Sequence, residues 1–470
     1  MRGRVLTILV VSILIFVLAA GFISGSINDE SITNWSNLFS MGYISAYYAH
    51  MYTVLVPEGN LLFTYVTVGL FIFFVIKTSV FIYLSLNHYR KESQVTMSDT
   101  KPFVFVIIPC YNEEKTVAHC LDGLLKQIYH GKFEIILVDD GSTDNTGEIC
   151  KEFVILHPGK IRYFYKENGG KASALRLGLE RSGGEIIPER SGGEIIVTMD
   201  ADSILDPYAL KYLVSSFNDP SVGAVGGNVR VANKDNYLGR NQAVEYLTGL
   251  AINRRAFANL NCMQVISGAI GAFRREVLEK IGGHPSDTIV EDMDVTILVH
   301  KAGYRVEYNG KAIAYTEVPA NLKDFLKQRY RWIFGGFQVL RKHRSMLFNR
   351  KYGFAGMIGL PYLLISLWID VLFTSLFVYC FVRAVVSGAL VGFFIFYSCM
   401  MLVQIVLVLY AIRLDGGDKK LVLTSCTYSL WYNHLLSIVI LFAGIRYLSG
   451  ANVSWHKMAR LGKNVLAEQK

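Results

Sequence analysis

Long apolar segments at both ends of the chain constrain its fold more than any other feature of the sequence. They lie at 5–23, 61–86, 354–382, 385–412 and 421–448. A helix of about 20 apolar residues crosses the hydrocarbon core of a bilayer. With 52% apolar and 18% charged residues among 470, the composition excludes a disordered chain, and we expect part of the chain to lie in a membrane.

Basic residues beside these segments predict the orientation. His88, Arg90 and Lys91 directly follow segment 61–86, whereas residues 24–60 contain no lysine or arginine. The positive-inside rule therefore places the N-terminus and everything from residue 88 onward in the cytoplasm, in a multi-pass protein of the plasma membrane. A cleaved signal peptide is the alternative for segment 5–23, which is long for such a peptide and lacks a convincing cleavage site.

The number of C-terminal spans stays open between two and three, which gives four or five in total. If all three segments cross, the basic tail would face outward, against its charge. Gly353, Gly356, Gly359 and Pro361 are expected to break helical continuity, so the start of the first segment is predicted to lie at the interface. The predicted regions are an N-terminal membrane region (1–99), a cytoplasmic domain (100–345), an interfacial helix with C-terminal transmembrane helices (346–450) and a basic tail (451–470).

The central region alternates between short apolar runs and helical patterns. The runs lie at 103–108, 134–138 and 195–199, and a helical pattern covers 116–127. This alternation predicts an α/β domain with a mostly parallel sheet. Ligands of such sheets bind beyond the carboxyl ends of the strands, so residues that follow these runs are candidates for a site.

Acidic residues stand at these strand ends. The clusters are Asp139-Asp140-Gly141-Ser142, Asp200-Ala201-Asp202, and Glu291-Asp292 with Asp294. Two carboxylates separated by one residue can hold a hard divalent ion that also contacts phosphates. The Asp-x-Asp pattern alone is a weak signal, and Asp140 and Ser142 could equally form only a turn and a helix cap.

A basic and aromatic cluster, Gln328-Arg329-Tyr330-Arg331-Trp332, precedes the C-terminal apolar segments. Cationic side chains pair with phosphates, and an indole face can stack on a sugar ring. For Trp332 the alternative role is an anchor at the membrane interface. Because basic residues alternate with acidic ones and crowd the membrane flank, a nucleic-acid partner is not expected. The seven cysteines form no C-x-x-C motif, so neither a zinc knuckle nor a disulfide framework is indicated.

In this order and spacing, the motifs resemble those of the membrane-embedded processive family 2 glycosyltransferases, which include hyaluronan, chitin, cellulose and poly-N-acetylglucosamine synthases. The resemblance covers residues 100–345 and the layout of the flanking segments. It implies a GT-A-type nucleotide-sugar-binding domain inserted between N- and C-terminal transmembrane helices.

The resemblance also implies a role for each matching position. Asp140, with Asp139, corresponds to the uridine-binding carboxylates, with Pro109, Tyr111 and Glu113 lining the base and ribose. Asp202, with Asp200, corresponds to the ligands of Mg²⁺ or Mn²⁺, and Lys171 to a basic residue beside the nucleotide. Asp292, next to Glu291, corresponds to the catalytic base, and Gln328, Arg331 and Trp332 to the element that holds the diphosphate and the acceptor.

The implied reaction is an inverting displacement of UDP from a UDP-sugar, most plausibly UDP-GlcNAc, by the end of a growing β-linked polysaccharide that then crosses the membrane. The alternative is a non-processive transferase that adds one sugar to a lipid carrier or short acceptor; a scaffold with an inactive domain is disfavoured by the intact acidic set. The lipid bilayer and an accessory membrane subunit are the further candidate partners. Asp370, inside an apolar segment, could line the polymer's passage or form a hydrogen bond between helices.

Gly170-Lys171-Ala172, Ile266-Ser267-Gly268-Ala269 and Trp455-His456-Lys457 most resemble the poly-β-1,6-N-acetylglucosamine synthases. Val290 replaces the usual threonine and Arg176 a common asparagine, which leaves the sugar open. We expect the pocket around residues 267–273 to set donor choice.

A nine-residue repeat lies between a predicted helix and the strand that leads to Asp200. Residues 180–188 read ERSGGEIIP and residues 189–197 read ERSGGEIIV. One repetition does not make a solenoid. Because Pro188 disfavours a central strand, we expect the second copy to form the strand and the first to form an added surface loop without a catalytic role.

Overall fold

The computed structural model describes residues 61–94, 101–182, 195–387, 390–451 and 462. The predicted span at 5–23, most of the repeat, and nearly all of the basic tail with its Trp455 motif lie outside the described residues. The chain divides into two compact units. One comprises Met1–Ile82, Ser366–Arg413 and Asp418–Ile438, and the other Tyr83–Ile365, Leu414–Gly417 and Val439–Lys470.

A mixed eight-stranded sheet forms the centre of the second unit. Its strands, in chain order, are β1 Val104–Cys110, β2 Phe133–Asp139, β3 Ile161–Tyr165, β4 Ile195–Thr198, β5 Ser203–Leu205, β6 Val222–Val231, β7 Gly271–Arg274 and β8 Arg305–Thr316. Their order in the sheet is β3-β2-β1-β4-β7-β6-β8-β5. The sequence prediction of short apolar strands at 103–108, 134–138 and 195–199 is confirmed.

The helices of the described chain are α1 Leu61–Gln94, α2 Val117–Leu125, α3 Thr146–Leu156, α4 Lys171–Arg181, α5 Ala209–Ser215, α6 Tyr237–Thr248, α7 Arg255–Asn259, α8 Arg275–Lys280, α9 Glu291–Lys301, α10 Leu322–Lys342, α11 Leu360–Ser387, α12 Leu390–Asp415, α13 Leu421–Thr427 and α14 Asn433–Leu448. Helix α2 falls within the predicted helical pattern at 116–127.

The prediction of a mostly parallel sheet is confirmed for six of the eight strands, since β6 and β8 are also parallel to each other, and β7 and β5 are the exceptions. Strands β3, β2, β1 and β4 are parallel neighbours. The central residues of β1 and β2 are fully buried. Beyond them, β7 runs antiparallel to both β4 and β6, and β5 runs antiparallel to β8. Strand β7 was not predicted because its four residues, Gly271–Arg274, include a glycine and an arginine and do not form an apolar run.

The antiparallel β4–β7 pair determines what lies next to the acidic strand ends. Thr198, the last residue of β4, pairs with Gly271, the first residue of β7. The segment that leads into β7 therefore lies at the edge where β4 ends and Asp200 follows. In this way a short antiparallel strand brings the 267–270 segment to the carboxyl ends of the parallel strands.

Two helical stretches of the described chain have the length and composition of membrane spans, Ala355–Val386 and Leu421–Leu448. Within the first unit, Thr374 Oγ1 donates to Ser437 Oγ at 2.9 Å, and Ser437 Oγ lies 3.1 Å from the backbone oxygen of Asp370. These contacts give Asp370 a hydrogen bond between helices through its backbone.

The predicted break before the first C-terminal span is only partly correct. Gly353 has a positive φ of 54° and ends a short 3₁₀ turn. After it, a π-helical turn at Ala355–Gly359 continues directly into α11, so Gly356, Gly359 and Pro361 do not interrupt the helix. Pro361 is the second residue of α11 and follows the π-helical turn directly.

Candidate active site

A lysine connects two of the acidic clusters. Lys171, the first residue of α4, places Nζ 2.6 Å from Asp200 Oδ1 and 3.0 Å from Glu291 Oε1. Burial alone would lower the pKa of the ammonium group, but Asp200, Glu291 and Asp292 raise it well above its ordinary value. The lysine therefore stays charged, and three motifs that are far apart in the sequence meet at one point.

The two carboxylates at the start of α9 differ in their protonation behaviour. Burial favours a higher pKa for Glu291, but Lys171 overcomes this and lowers it below the ordinary value. For Asp292, burial and then the charge of Glu291 raise the pKa above its ordinary value. A half-buried carboxylate with a raised pKa has the property required of a general base that works near neutral pH.

Backbone groups hold the Asp292 carboxylate in place. The N–H of Met293 donates to Oδ1 at 2.8 Å, and the N–H of Gly268 lies 3.3 Å from Oδ2. A Cβ atom at position 268 would lie 2.3 Å from Lys171 Nζ. Glycine at this position therefore lets the chain before β7 approach both the lysine and the carboxylate.

A cavity opens at this cluster. Its empty volume is about 280 Å³, counting the part that is open to solvent. Its lining combines charged and apolar side chains: Lys171, Leu175, Thr198, Met199, Ile266, Ser267, Gly268, Phe273, His284, Glu291, Asp292 and Val295. The predicted donor-pocket segment 267–273 thus contributes three of these residues, and the predicted Lys171, Glu291 and Asp292 three more.

The structure places Asp139 and Asp140 at the end of β2 in different roles. Asp139 is buried and accepts from the Ser142 N–H and the Tyr163 hydroxyl, both at 2.8 Å, so it forms the turn that follows the strand. Asp140 accepts from the backbone N–H groups of Gly169 at 3.0 Å and Gly170 at 2.8 Å. It thereby holds the loop that leads into α4 and to Lys171.

Lys166 also binds Asp140, with Nζ 2.6 Å from Oδ1. The sequence analysis did not single out this lysine, and only its position at the end of β3, beside the end of β2, could have indicated it. An additional positive charge therefore lies beside the predicted nucleotide-binding carboxylate.

The residues expected to line a base and ribose lie at the end of β1. Pro109 pairs with Val138 in the strand, and half-buried Tyr111 follows it. The backbone N–H of Glu113 donates to Thr146 Oγ1 at 2.7 Å, and its carboxylate accepts from Thr116 Oγ1 at 2.8 Å. These residues share the sheet edge with Asp140, as the strand pattern predicts.

Asp202 does not join the Lys171 cluster directly. It is buried, and its Oδ1 lies 3.2 Å from Thr316 Oγ1 and 3.3 Å from Ser203 Oγ. Asp200, one-third exposed, is the member of the Asp-x-Asp pair that contacts Lys171. The described residues contain no group of three or more His, Cys, Asp or Glu side chains arranged as a complete metal site.

The donor chemistry of this pair nevertheless fits a divalent cation. Asp200 and Asp202 offer hard carboxylate oxygens, and Mg²⁺ is commonly held by one or two carboxylates together with substrate phosphates. Asp200 already pairs with a cationic group, the Lys171 ammonium, in this structure. Because substrate phosphates supply the remaining ligands, two protein carboxylates are sufficient for such a cation.

The predicted element at 328–332 lies on α10. Gln328 is buried and accepts from Arg329 Nη1 at 2.8 Å. The positive charge of Arg331 adds to the lowering of the Glu291 pKa and opposes the rise of the Asp292 pKa. Gly335 allows this approach, because a Cβ atom there would lie 2.6 Å from a side-chain methyl of Val290.

Arg329 positions the tryptophan of this element and was not predicted. Its guanidinium lies 4.3 Å from the ring centroid of Trp332, and its Nη2 is 2.6 Å from Glu245 Oε2. The sequence offered little to separate Arg329 from Arg331, since both are arginines within the same five residues. Only the direction in which each leaves α10 separates the buried arginine from the one beside the site.

Asp294, grouped with Glu291 and Asp292 in the sequence, has a different role. It is fully buried and bonds to Thr288 Oγ1 at 2.9 Å, Lys342 Nζ at 2.8 Å and His343 Nε2 at 2.7 Å. Burial alone would raise the pKa of Asp294. The hydrogen bonds from His343, Lys342 and Thr288 outweigh burial, so the pKa lies below its ordinary value. Asp294 thus ties α9 to the end of α10 and is not part of the candidate catalytic cluster.

Comparison with family models identifies a glycosyltransferase. Residues 105–282 match the model of glycosyl transferase family 2, and residues 195–412 match that of glycosyl transferase family group 2. Together the two models cover residues 105–412, and this region is of the family 2 glycosyltransferase type.

Curated relatives in the same family are synthases of one polymer. The chain is 33% identical over 257 residues to the poly-beta-1,6-N-acetyl-D-glucosamine synthase of Staphylococcus aureus strain COL, which covers 54% of this chain and 59% of that protein. It is 34% identical over 235 residues to the synthase of the same name from Staphylococcus epidermidis, covering 50% of this chain and 54% of that protein. The matched part thus spans little more than half the length of these relatives.

A solved structure shares the fold. The mannosyltransferase of Pyrobaculum calidifontis, solved in complex with GDP-Man and Mn²⁺, superposes with a TM-score of 0.53 at 22% identity. The superposition covers 80% of this chain and 97% of that chain. The described mixed sheet is therefore of the glycosyltransferase type that the sequence resemblance implied.

Proposed function

We propose that the chain is an inverting, processive polysaccharide synthase that transfers N-acetylglucosamine from UDP-GlcNAc to the end of a β-linked polymer. One observation carries the proposal. Lys171 pairs with Asp200 and Glu291 at a cavity that is also lined by Asp292, the carboxylate whose pKa is raised. The names of the staphylococcal relatives support the choice of polymer and sugar.

In this proposal Asp292 removes the proton from the acceptor hydroxyl as that oxygen attacks the anomeric carbon. A new bond forms between the acceptor oxygen and this carbon while the bond to the UDP oxygen breaks on the opposite face. One such displacement converts an α-linked donor into a β-linked product. The Gly268 and Met293 N–H groups keep the carboxylate oriented for the proton transfer.

Positive groups stabilise the departing UDP. Lys171 remains charged within the cluster, and Arg331 lies close enough to influence both acidic residues of α9. Negative charge grows on the diphosphate as the bond breaks, so cations already in position lower the barrier. When bound, Mg²⁺ or Mn²⁺ would be held by Asp200 and Asp202 and would neutralise part of this charge.

The remaining predicted residues complete the assignment. Asp139, Asp140, Pro109, Tyr111 and Glu113 are proposed to form the uridine end of the site, on the sheet edge formed by β1 and β2. Gln328 and Trp332 are proposed to hold the acceptor end of the polymer, with Arg329 fixing the indole ring.

The proposed location is the plasma membrane, with the catalytic domain at 100–345 in the cytoplasm between the membrane regions 1–99 and 346–450. The two apolar helices at Ala355–Val386 and Leu421–Leu448 support a multi-pass arrangement. Basic residues at 88–91 and in the tail support the orientation. A polymer that is made in the cytoplasm then leaves through the membrane region.

Isolated membranes test the proposal directly. We would offer radiolabelled UDP-GlcNAc, UDP-Glc and UDP-GlcA with Mg²⁺ or Mn²⁺, compare the wild type with Asp292→Asn, and size the product. High-mass polymer from UDP-GlcNAc that disappears in the variant is the expected result. A short glycolipid product would instead indicate a non-processive transferase, and transfer that does not depend on Asp292 would overturn the assigned mechanism.

A further inference from the structure

His284 lies in the cavity of the candidate site without a role in the proposed chemistry. It is buried to 3% exposure and lines the cavity together with Lys171 and Glu291. Its ring meets Phe273, another lining residue, edge to face, with ring centroids 5.5 Å apart. The side chain is therefore fixed against one wall of the space that a donor sugar would occupy.

One ring nitrogen of His284 lacks a partner. Its Nδ1 is buried and makes no hydrogen bond to any of the residues that the structure describes. His300, equally deep in the fold, has Nε2 at 2.9 Å from the Met263 carbonyl oxygen. A buried polar atom without a partner costs roughly 1–3 kcal/mol, so the environment of His284 favours a ligand that completes the bond.

The imidazole is uncharged near neutral pH. Burial, assisted by the charge of Lys171, lowers its pKa to about 4 even though Glu291 opposes the shift. A neutral ring donates one hydrogen bond and accepts another, and it does not attract a phosphate as a charged ring would. The group is suited to recognise a neutral polar substituent.

The walls near His284 are apolar. Leu175, Ile266, Phe273 and Val295 line the same cavity, whose charged side is formed by the Lys171 cluster. A hydroxyl group needs hydrogen bonds alone, whereas an acetamido group combines an amide with a methyl group that gains from apolar contact. Apolar walls with one neutral ring nitrogen therefore match an acetamido group better than a hydroxyl group.

We propose that His284 selects the donor by hydrogen-bonding the acetamido group of a 2-acetamido sugar, whose methyl group packs against the apolar wall beside Phe273. This inference rests on the proposed function and adds a specificity-determining residue to it. It also explains why a buried ring nitrogen without a protein partner is tolerated at the cavity wall.

Four versions of the full-length protein test the proposal. His284→Phe keeps an aromatic ring against Phe273 but removes both nitrogens, and His284→Gln restores a polar group. His300→Phe is the matched control, because it removes a buried imidazole away from the cavity. For each protein, kcat/KM would be measured with UDP-GlcNAc and with UDP-Glc, and binding of UDP alone by calorimetry.

The expected result is a loss of preference rather than a general loss of activity. His284→Phe should lower kcat/KM for UDP-GlcNAc about tenfold, the value of one hydrogen bond, and affect UDP-Glc much less. His284→Gln should recover part of the preference, and His300→Phe should change both donors in the same proportion. UDP binding should be unchanged in His284→Phe, because UDP lacks the sugar.

Four results would overturn the proposal. An unchanged preference in His284→Phe, or a wild type that prefers UDP-Glc, would reject the role of His284 and leave the transferase function intact. Loss of UDP binding together with the preference would assign His284 a structural role. A wild type that transfers neither sugar would reject the proposed function itself and this inference with it.

Discussion

Gly268 places its backbone N–H 3.3 Å from Asp292 Oδ2, while the space that its missing side chain leaves is taken by Lys171 Nζ. One residue without a Cβ atom thus serves the proposed base and the cation that connects Asp200 with Glu291. The contact depends on the antiparallel β7, which brings the 267–270 segment to the carboxyl end of β4.

The first prediction concerns this glycine. In Gly268→Ala the new Cβ would lie 2.3 Å from Lys171 Nζ, so the flexible lysine must swing away from Asp200. We expect transfer activity to fall about tenfold or more, which corresponds to one lost charge-assisted hydrogen bond, with little change in melting temperature. Initial rates and a thermal melt of the purified protein measure both.

Gly336→Ala is the control for this variant. Position 336 lies in α10, and a Cβ atom there would point into open space, with no atom outside the nearby backbone of the helix within 4 Å. Its activity should equal that of the wild type. Equal activity in Gly268→Ala as well would mean that the position of Lys171 does not matter for transfer.

A second prediction follows from the raised pKa of Asp292. The base works only when it is deprotonated, so activity should fall as the pH drops through this raised pKa, at a higher pH than for an ordinary aspartate. Asp292→Asn should lose about 10²–10⁴-fold in kcat and should lack this acid limb. A pH profile of kcat/KM checks both, and an acid limb that persists in the variant would assign it to another group.

Arg331 gives a third prediction with a defined sign. Its positive charge lowers the pKa of Asp292, so Arg331→Gln should raise that pKa and move the acid limb to higher pH. A purely structural role for Arg331 would reduce activity at every pH without moving the limb. The pH profiles of wild type and Arg331→Gln, recorded with the same donor, distinguish the two.

The fourth prediction concerns stability. Asp294 has a folded-state pKa below its ordinary value, so its contribution is present above about pH 4, the ordinary pKa, and is lost as the pH falls through the lowered folded value. Asp294→Asn removes the carboxylate that pairs with buried His343 and leaves Lys342 with Asp287 alone, so it should lower the free energy of unfolding by about 3 kcal/mol.

Denaturant unfolding at pH 7 and at pH 3 measures the Asp294 contribution, and the difference between the variant and the wild type should shrink at the lower pH. The acid limb of activity, which depends on Asp292, should stay in place. A shifted limb with unchanged stability would instead place Asp294 in the catalytic cluster.

Much of the parallel part of the sheet could be predicted from the sequence. Buried parallel strands are continuous apolar runs, so the ends of β1, β2 and β4 could be located, and with them Asp140 and Asp200. That the residues at these ends meet follows from the geometry of parallel strands.

The remainder depends on directions that the sequence does not encode. Glu291, Asp292 and Asp294 differ by only three positions, yet the rotation of α9 points the last one toward His343. His284 is not part of any periodic sequence pattern. Its position at the cavity depends on tertiary contacts such as that with the Phe273 ring on β7. Side-chain direction at helix starts and in loops is fixed by tertiary packing.

The hydrogen bonds of Asp140 restrict the loop before α4 in advance of any ligand. Fixing the backbone of one residue costs about 1–2 kcal/mol of conformational entropy, and the carboxylate fixes Gly169 and Gly170 together. Lys171 follows them directly, so its side chain extends from a backbone whose position is already fixed. A nucleotide that engages Asp140 would therefore compete with these two amides, and the mobility of Lys171 would report on whether the base end of the site is filled.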